Sequence, residues 1–145
     1  MATGKGNTTI NNFLKLLLNA TTWTGIAVND TGTPLTNLFL ALSTGTLSAS
    51  SAQNTTEAAY TSYARVSVAR TTGGFTAASA QSSALVATAS FPTATGGSET
   101  ETYASLGTLT SGAGVVLYFG PITPSIIVAT TVTPQLTTAS TISET

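Results

Sequence analysis

Cysteine and histidine are both missing from the 145 residues of this chain. Without cysteine there is no disulfide bond and no thiolate nucleophile, and without histidine the commonest general base and metal ligand is lacking. A hydroxyl nucleophile would need Lys5 or Lys15 as its base, and both lie near the start of the chain. We therefore expect no enzymatic activity, no catalytic residue, no metal site and no bound cofactor.

Charge is also scarce, because charged residues make up only 6% of the chain and the net charge is −1. In an average domain about a quarter of the residues are charged. The four basic residues are too few to neutralise a row of phosphates, so nucleic acid is not an expected partner. No apolar run reaches the roughly 18 residues that indicate a membrane-spanning helix, so a membrane is not an expected partner either.

Hydroxyl side chains take the place of charges, with 32 threonines and 16 serines in the chain. Threonine is β-branched and suits the pleated surface of a sheet. A surface of hydroxyls also costs less to desolvate than a charged one when a neighbouring molecule covers it. The composition predicts β structure and a protein that works within an assembly; a secreted or engineered β domain with few charges is the alternative.

Residues 1–35 are predicted to form an N-terminal arm, a helix and a loop. The helix covers about residues 8 to 20, with Asn7 or Thr8 as its cap. Its apolar face either closes one end of the core or packs on a neighbouring subunit, and Trp23 in the loop is either a lid on the core or an interface anchor. The residues of that face recur at helical spacing: Ile10, Phe13, Leu14, Leu17 and Leu18.

Residues 36–145 are predicted to form an antiparallel β-sandwich of about eight strands. The nearly continuous apolar run Asn37 to Ser43 is typical of a strand buried on both faces. An even number of short strands and one long loop favour a jelly-roll-like arrangement of two sheets. Further predicted strands are Tyr60 to Arg70, Ser83 to Phe91, and Val115 to Phe119, the last ending at Gly120-Pro121.

The two arginines of the β region, Arg65 and Arg70, bracket one predicted strand. In a chain with so few cations, each is expected to make a specific contact with a carboxylate, for which arginine has a suitable geometry. The contact is either an internal strap or a bridge to a neighbouring subunit. Together with Phe13, Leu17 and Trp23, these arginines are the predicted interface residues.

Two acids, Glu99 and Glu101, are two residues apart and share one face of a predicted strand. Such a pair can act in glycoside hydrolysis or contribute to a calcium site. Because the pair follows a Gly-Gly turn, the simpler interpretation is a solvated strand end, and it is the one we adopt. Glu57, Glu99 and Glu101 are the plausible carboxylate partners of the arginines.

From about Leu38 to Ile142 the chain resembles a family of small structural proteins of tailed bacteriophages. The family pattern is a buried strand, a loop ending in an acid, a Tyr-Ala-Arg strand, a Phe-Pro turn with glycines, and a Gly-rich hairpin into a Leu-Tyr strand. Phe75 stands where the pattern has Trp, and Tyr103-Ala104-Ser105 replaces a more aromatic or His-containing piece. The matching segments are LFLALSTG, TEAAYTSYARVSVARTTGGF, SFPTATGGSET, SLGTLTSGAGVVLYFGP and TPQLTTASTIS.

The resemblance implies a protein of the virion, made in the cytoplasm of the host bacterium. It does not imply which part of the virion. We favour a capsid cement or decoration protein, because the chain is short and lacks the heptads and β-helical repeats of a fibre shaft. The expected partners are the major capsid protein and further copies of the chain itself, as a dimer or larger oligomer. One alternative is a tail, collar or fibre component. Another is a carbohydrate- or receptor-binding module, for which Trp23, Tyr60 and Tyr103 are the candidate aromatic residues.

Overall fold

A computed structural model describes residues 4–145 and confirms a small all-β fold with one short helix. The pairings of β1 with β5, β5 with β6 and β3 with β8 are antiparallel. The jelly-roll arrangement of two packed sheets stays a prediction. Within residues 4–145 the elements are α1 (Asn7–Asn19), β1 (Asn37–Ser43), β2 (Val66–Ala69), β3 (Ser82–Ala84), β4 (Ala89–Ser90), β5 (Glu99–Gly107), β6 (Val116–Val128), β7 (Gln135–Leu136) and β8 (Thr141–Ser143).

The chain divides into two compact units. The first takes in the chain up to Thr36, Ala69–Thr88 and Leu136–Thr145, and the second takes in Asn37–Val68 and Ala89–Gln135. The boundary predicted between residues 35 and 36 is therefore close to one border of the first unit. The N-terminal segment nevertheless forms its unit together with two later segments, because α1 needs residues outside itself to cover its apolar face.

In the first unit, α1 buries Ile10, Leu14 and Leu18 and leaves Phe13 partly exposed. The predicted cap by Asn7 or Thr8 is wrong. Gly6 is the residue before the first turn, no side chain caps it, and the side-chain oxygen of Asn7 instead accepts a hydrogen bond from Gln81. The helix ends where Ala20 adopts a left-handed conformation with φ of 53°.

The side chain of Asn19, in the last turn of α1, is buried and donates a hydrogen bond of 2.9 Å to the carbonyl of Phe75. Phe75 is itself fully buried, so this bond ties the helix end to the middle segment of the first unit. In the same unit, β3 pairs with β8, with Ser83 opposite Ile142.

The second unit contains a four-stranded sheet in the order β2-β1-β5-β6. β1 is a central strand, and all of its residues from Leu40 to Ser43 are buried, as predicted from its continuous apolar run. β5 pairs with β1 on one side and with β6 on the other, so that Ser105 lies opposite both Ala41 and Phe119. The buried residues of this unit include Leu38, Leu40, Leu42, Tyr60, Phe91, Leu106 and Val128.

The sequence predicts a strand that ends at Gly120-Pro121, but β6 runs through both residues. Proline has no backbone N–H and is tolerated where a strand has one unpaired side. β6 is the outer strand of its sheet, with Gly120 opposite Ala104 and Pro121 opposite Tyr103. The predicted break is wrong because an edge strand needs backbone partners on one side only.

The predicted strand from Tyr60 to Arg70 is shortened to β2. Ser62 has a φ of 84°, which an extended strand does not contain. The N–H of Tyr63 donates to the carbonyl of Tyr60 at 2.9 Å, so the chain turns here before it reaches β2. The alternation of side chains continues only from Val66 to Ala69.

The predicted strand from Ser83 to Phe91 divides into two short strands, β3 and β4. Between them, the N–H of Leu85 donates to the carbonyl of Ser140, and the N–H of Val86 donates to the carbonyl of Gly74. The backbone therefore changes partners over residues 85–88 and does not continue one ladder. This change of partners falls where the chain leaves the first unit and enters the second.

We predict that Leu42→Ala lowers the free energy of unfolding by about 2–5 kcal/mol, because it leaves a cavity at a fully buried position of the central strand. Urea unfolding followed by circular dichroism measures this change. Leu109→Ala is the matched control, since Leu109 is half exposed in the loop after β5, and a loss below about 1 kcal/mol is expected. Equal losses in the two variants would contradict the assignment of the core.

Candidate functional site

Large apolar side chains are exposed in both units. Single exposed apolar residues are ordinary on a protein surface, whereas contiguous apolar patches indicate interaction sites. Three exposed apolar side chains fall within the loop after α1, where Ile26 is 70% exposed, Val28 is 69% exposed and Leu35 is also exposed, and this loop is the candidate site. We call residues 21–36 the apolar loop. The other exposed large apolar residues are Phe13, Val86, Leu109, Val115, Phe119 and Ile127.

The apolar loop is ordered by its own backbone hydrogen bonds. Trp23 and Ala27 exchange two of them, at 2.9 and 3.0 Å, and Gly25 supplies the positive φ of 79° that this tight turn requires. The turn presents Ile26 beside its glycine at the surface. Trp23 itself is half buried, and its role as a lid on the core or as an interface anchor stays a prediction.

A second turn in the loop is held by the carboxylate of Asp30, which accepts the N–H groups of Gly32 at 2.9 Å and Thr33 at 3.3 Å. This is the local turn that aspartate favours. The exposed apolar side chains therefore stand on a backbone whose polar groups are engaged locally. An apolar surface on an ordered backbone loses less conformational entropy on binding than a flexible one.

Arg70 fastens the apolar loop to the end of α1. Its guanidinium donates to the carbonyls of Leu16 and Leu17 at 2.6 Å each, and to the side-chain oxygen of Asn29 at 2.6 Å. A further bond of 3.3 Å goes to the carbonyl of Leu35. The cation thus lies at the negative end of the helix dipole and joins the end of α1 to the middle and the last residues of the loop.

These contacts make Arg70 an internal strap, one of the two predicted alternatives. The acceptors are carbonyl and amide oxygens and not the predicted carboxylates. Leu17 contributes its carbonyl to the strap, and its side chain is half buried. A role for Phe13, Leu17 and Arg70 at an interface stays a prediction.

Arg65 is the centre of a second strap, in the second unit. Its guanidinium forms two parallel hydrogen bonds to Glu57, Nε to Oε1 at 2.6 Å and Nη2 to Oε2 at 2.7 Å. It also donates to the carbonyls of Leu109 at 2.8 Å and Gly112 at 2.7 Å. The side chain of Arg65 is only 1% exposed. The strap therefore joins the long loop before β2 to the hairpin loop between β5 and β6.

In the structure, Arg65 pairs with Glu57, which is one of the three predicted carboxylate partners. The hydroxyl of Tyr63 adds a hydrogen bond of 3.0 Å to Glu57 and accepts the N–H of Leu42 at 3.1 Å. The ring of Tyr63 stacks on Phe91. The ion pair is thus built into the core of the unit, and whether Arg65 also contacts another subunit stays a prediction.

The interpretation of Glu99 and Glu101 as a solvated strand end is wrong for Glu101, which is 0% exposed. No N–H or O–H group of the described residues donates to either of its carboxyl oxygens. Burial, followed by the charge of Glu99 and a hydrogen bond with that carboxyl, raises the pKa of Glu101 to about 8. The local sequence carries no signal of this burial, which only the folded chain around β5 creates.

Of the three candidate sugar-binding aromatics, Tyr60 is buried and its hydroxyl donates to the carbonyl of Pro92 at 3.0 Å. A stacking platform needs an exposed ring face, so Tyr60 does not supply one. Within residues 4–145, no group of three or more acidic side chains is positioned to hold a metal ion. The same range contains no helix that is long and apolar enough to cross a membrane.

For the Arg65–Glu57 strap, we predict that Arg65→Ala lowers the free energy of unfolding by about 3–5 kcal/mol, because it removes a buried guanidinium and leaves the half-buried carboxylate of Glu57 without its cation. Adding Glu57→Ala should cost less than its single effect, by roughly 0.5–3 kcal/mol of coupling. Urea unfolding of the two single variants and the double variant measures this cycle. Lys15→Ala, which removes a cation from the surface of α1, is the control, and strict additivity would contradict the strap.

For the Arg70 strap, we predict that Arg70→Ala loosens the apolar loop while the fold is kept. Acrylamide should quench the fluorescence of Trp23, the single tryptophan of the chain, more strongly in the variant. Amide hydrogens of residues 23–33 should exchange faster, whereas those of β5 should not change. Arg70→Lys should not restore the loop, since one ammonium group lacks the planar fork that reaches these acceptors. Unchanged quenching in Arg70→Ala would contradict this role.

No model of a known protein family matches the chain. No curated protein matches it either.

Proposed function

We propose that this chain is a non-enzymatic structural subunit of a bacteriophage particle, a capsid cement or decoration protein on the surface of the shell. Its partners in this role are the major capsid protein and further copies of itself. It bridges neighbouring capsomers and stabilises the shell against the pressure of its contents. The resemblance of residues 38–142 to small tailed-phage structural proteins is the starting point of the proposal.

The observation that carries the proposal is the apolar loop. Ile26 and Val28 are each about 70% exposed on a backbone that is held by a tight turn and by the Arg70 strap. Protein interfaces are depleted of charge at their centre, and the loop contains one charged residue, Asp30, whose carboxylate is occupied by its own turn. These are the properties of a surface that another protein covers.

A weak contact of this kind becomes effective when it is repeated over the shell. Burying an exposed aliphatic side chain contributes roughly 1.5–3 kcal/mol at most, so one loop alone binds weakly. A subunit with several contacts, repeated over a shell, gains from effective concentration, and the combined attachment far exceeds the single contact. A cement protein therefore needs no catalytic group and no deep pocket.

The first test compares particles with and without this subunit. Depleted particles should release their contents at a lower temperature and after a milder osmotic shock than complete particles. Adding back the purified chain should restore the resistance. Equal robustness of depleted and complete particles would contradict the cement role.

The second test asks whether the apolar loop is the contact. Ile26→Asp and Val28→Asp should fold normally but fail to bind depleted particles, because a charge in the covered surface must be desolvated. Thr24→Asp, which adds the same charge at an exposed polar position of the same loop, is the matched control. Binding that is lost equally in all three variants would indicate a general effect of charge and would contradict this contact.

A tail, collar or fibre component is the second structural possibility, and the copy number separates the two. A shell protein is present in numbers comparable to the major capsid protein, whereas a tail protein is present in few copies. Quantitative mass spectrometry of purified particles measures this ratio. A few copies in each particle would replace the capsid proposal with the tail proposal.

A further inference from the structure

Glu101 is an acid that the second unit buries without a basic partner. It is 0% exposed, and no N–H or O–H group of the described residues donates to its carboxyl oxygens. An ionised carboxylate is costly in such a place, because nothing replaces the water that it loses. A protonated carboxyl is neutral, and its O–H needs only one acceptor.

Glu99 provides that acceptor, two residues earlier on β5 and on the same face of the strand. Its Oε1 atom accepts the backbone N–H groups of Ala59 at 2.9 Å and Tyr60 at 2.8 Å. Two such donors stabilise the ionised form of a carboxyl. The pair therefore has one member that accepts two backbone N–H groups and one member whose surroundings favour the neutral acid.

Within the part of the chain that the structure describes, the neighbouring elements supply no cation to the pair. On the adjacent strand β6, Ile126 lies opposite Glu101 and Val128 lies opposite Glu99, and neither titrates. From the segment before β2, the group that acts on Glu101 is Tyr60, and burial together with the two acids raises its pKa to about 12, so it stays neutral. The guanidinium of Arg65 forms its ion pair with Glu57 and not with the acid pair.

We propose that Glu99 and Glu101 share one proton at neutral pH and that its loss at alkaline pH releases the segment around Tyr60 from the start of β5. In the closed state, the O–H of Glu101 donates to the carboxylate of Glu99. When a base in the solvent takes this proton, two negative charges remain on one face of β5, and the charge on Glu101 is out of water. They separate when Glu101 turns toward solvent or Glu99 leaves the N–H groups of Ala59 and Tyr60.

The backbone around Tyr60 has few other ties to the start of β5. The N–H of Thr61 donates to the carbonyl of Gly96 at 2.9 Å, and Gly97, with φ of 91°, lies against the backbone of Tyr60. A side chain on Gly97 would approach the Cα atom of Tyr60 to 3.3 Å, so the two segments are in close contact. Loss of the Glu99 contact therefore removes the two hydrogen bonds that join the backbone of Ala59 and Tyr60 to the start of β5, while the side chain of Tyr60 keeps its bond to the carbonyl of Pro92.

The pH dependence of stability follows from the direction of the shift. The pKa of Glu101 is raised from 4.5 to about 8, so between these values the folded chain holds a proton that the unfolded chain has released. The free energy of unfolding therefore falls as the pH rises through this window and levels off above it. This device is independent of the proposed role in a phage particle, since it needs only the folded second unit.

Infrared spectroscopy of the unmodified chain is the direct test. At neutral pH the chain should show the C=O stretching band of a protonated carboxyl, and the band should disappear as the pH rises above about 8. Hydrogen exchange at the amides of Ala59, Tyr60 and Thr61 should accelerate over the same range, beyond the intrinsic effect of pH, while β1 stays protected. A chain without the band at neutral pH would overturn the proposal.

Glu101→Gln is the matched variant, because its amide is a neutral copy of the protonated acid and can donate to Glu99. It should lack the band, keep its melting temperature between pH 5 and pH 9, and show no alkaline acceleration of exchange at Tyr60. Asp30→Asn, which removes an exposed acid, should keep the behaviour of the unmodified chain. A Glu101→Gln variant with the original pH dependence would overturn the proposal.

Calcium ions distinguish a pair that shares a proton from a pair that binds a cation. If the pair shares a proton, millimolar Ca²⁺ or a chelator should change neither the infrared band nor the melting temperature at pH 7. If Ca²⁺ abolishes the band and raises the melting temperature, and Glu101→Gln removes both effects, the pair is a cation site and the shared proton is excluded.

Discussion

The buried ion pair between Arg65 and Glu57 holds the second unit together. It connects the end of the long loop after β1, the approach to β2 and the hairpin loop between β5 and β6. Arginine suits this task because its planar fork bonds to both carboxylate oxygens and still has donors for two carbonyls. Tyr63 extends the network to β1 through the N–H of Leu42.

The first unit uses its charges in the same way. Arg70 joins the end of α1 to the apolar loop, Asp30 closes a turn within that loop, and Lys5 pairs with Glu144. Glu99 likewise accepts backbone N–H groups of its own unit. Most of the nine charged residues of the chain thus make internal contacts. The surface that remains is neutral, rich in hydroxyls, and carries exposed aliphatic side chains on an ordered loop.

The use of most charged residues in internal contacts supports a structural function. Charges on a surface favour solubility as a monomer, whereas a neutral surface with ordered apolar residues favours coverage by another protein. Within residues 4–145, the same scarcity of charge leaves the carboxyl of Glu101 buried without a cation as its partner. The apolar loop belongs to the first unit and the acid pair to the second, so the two can be studied separately.

Much of the local structure follows from local patterns. The continuous apolar run of β1 and the helical spacing of α1 predict elements whose bounds agree with the structure to within a residue, because burial and periodicity are properties of short segments. Residues that are expected to end a strand predict the strand bounds less well. Gly120-Pro121 interrupts no strand, since β6 lies at a sheet edge, and Ser62 shortens β2 through a backbone angle that serine rarely adopts.

The sequence by itself determined the all-β character, the N-terminal helix and the lack of the residues that most catalytic and metal sites use. It also indicated that each arginine makes a specific contact, because cations are few. Only the tertiary structure decided which acceptors each arginine contacts. Glu57 is eight residues from Arg65, but the acceptors in the hairpin loop are 44 and 47 residues away. The burial of Glu101 was decided in the same way: exposure depends on segments distant along the chain, and no local pattern around Glu99 and Glu101 specifies what covers them.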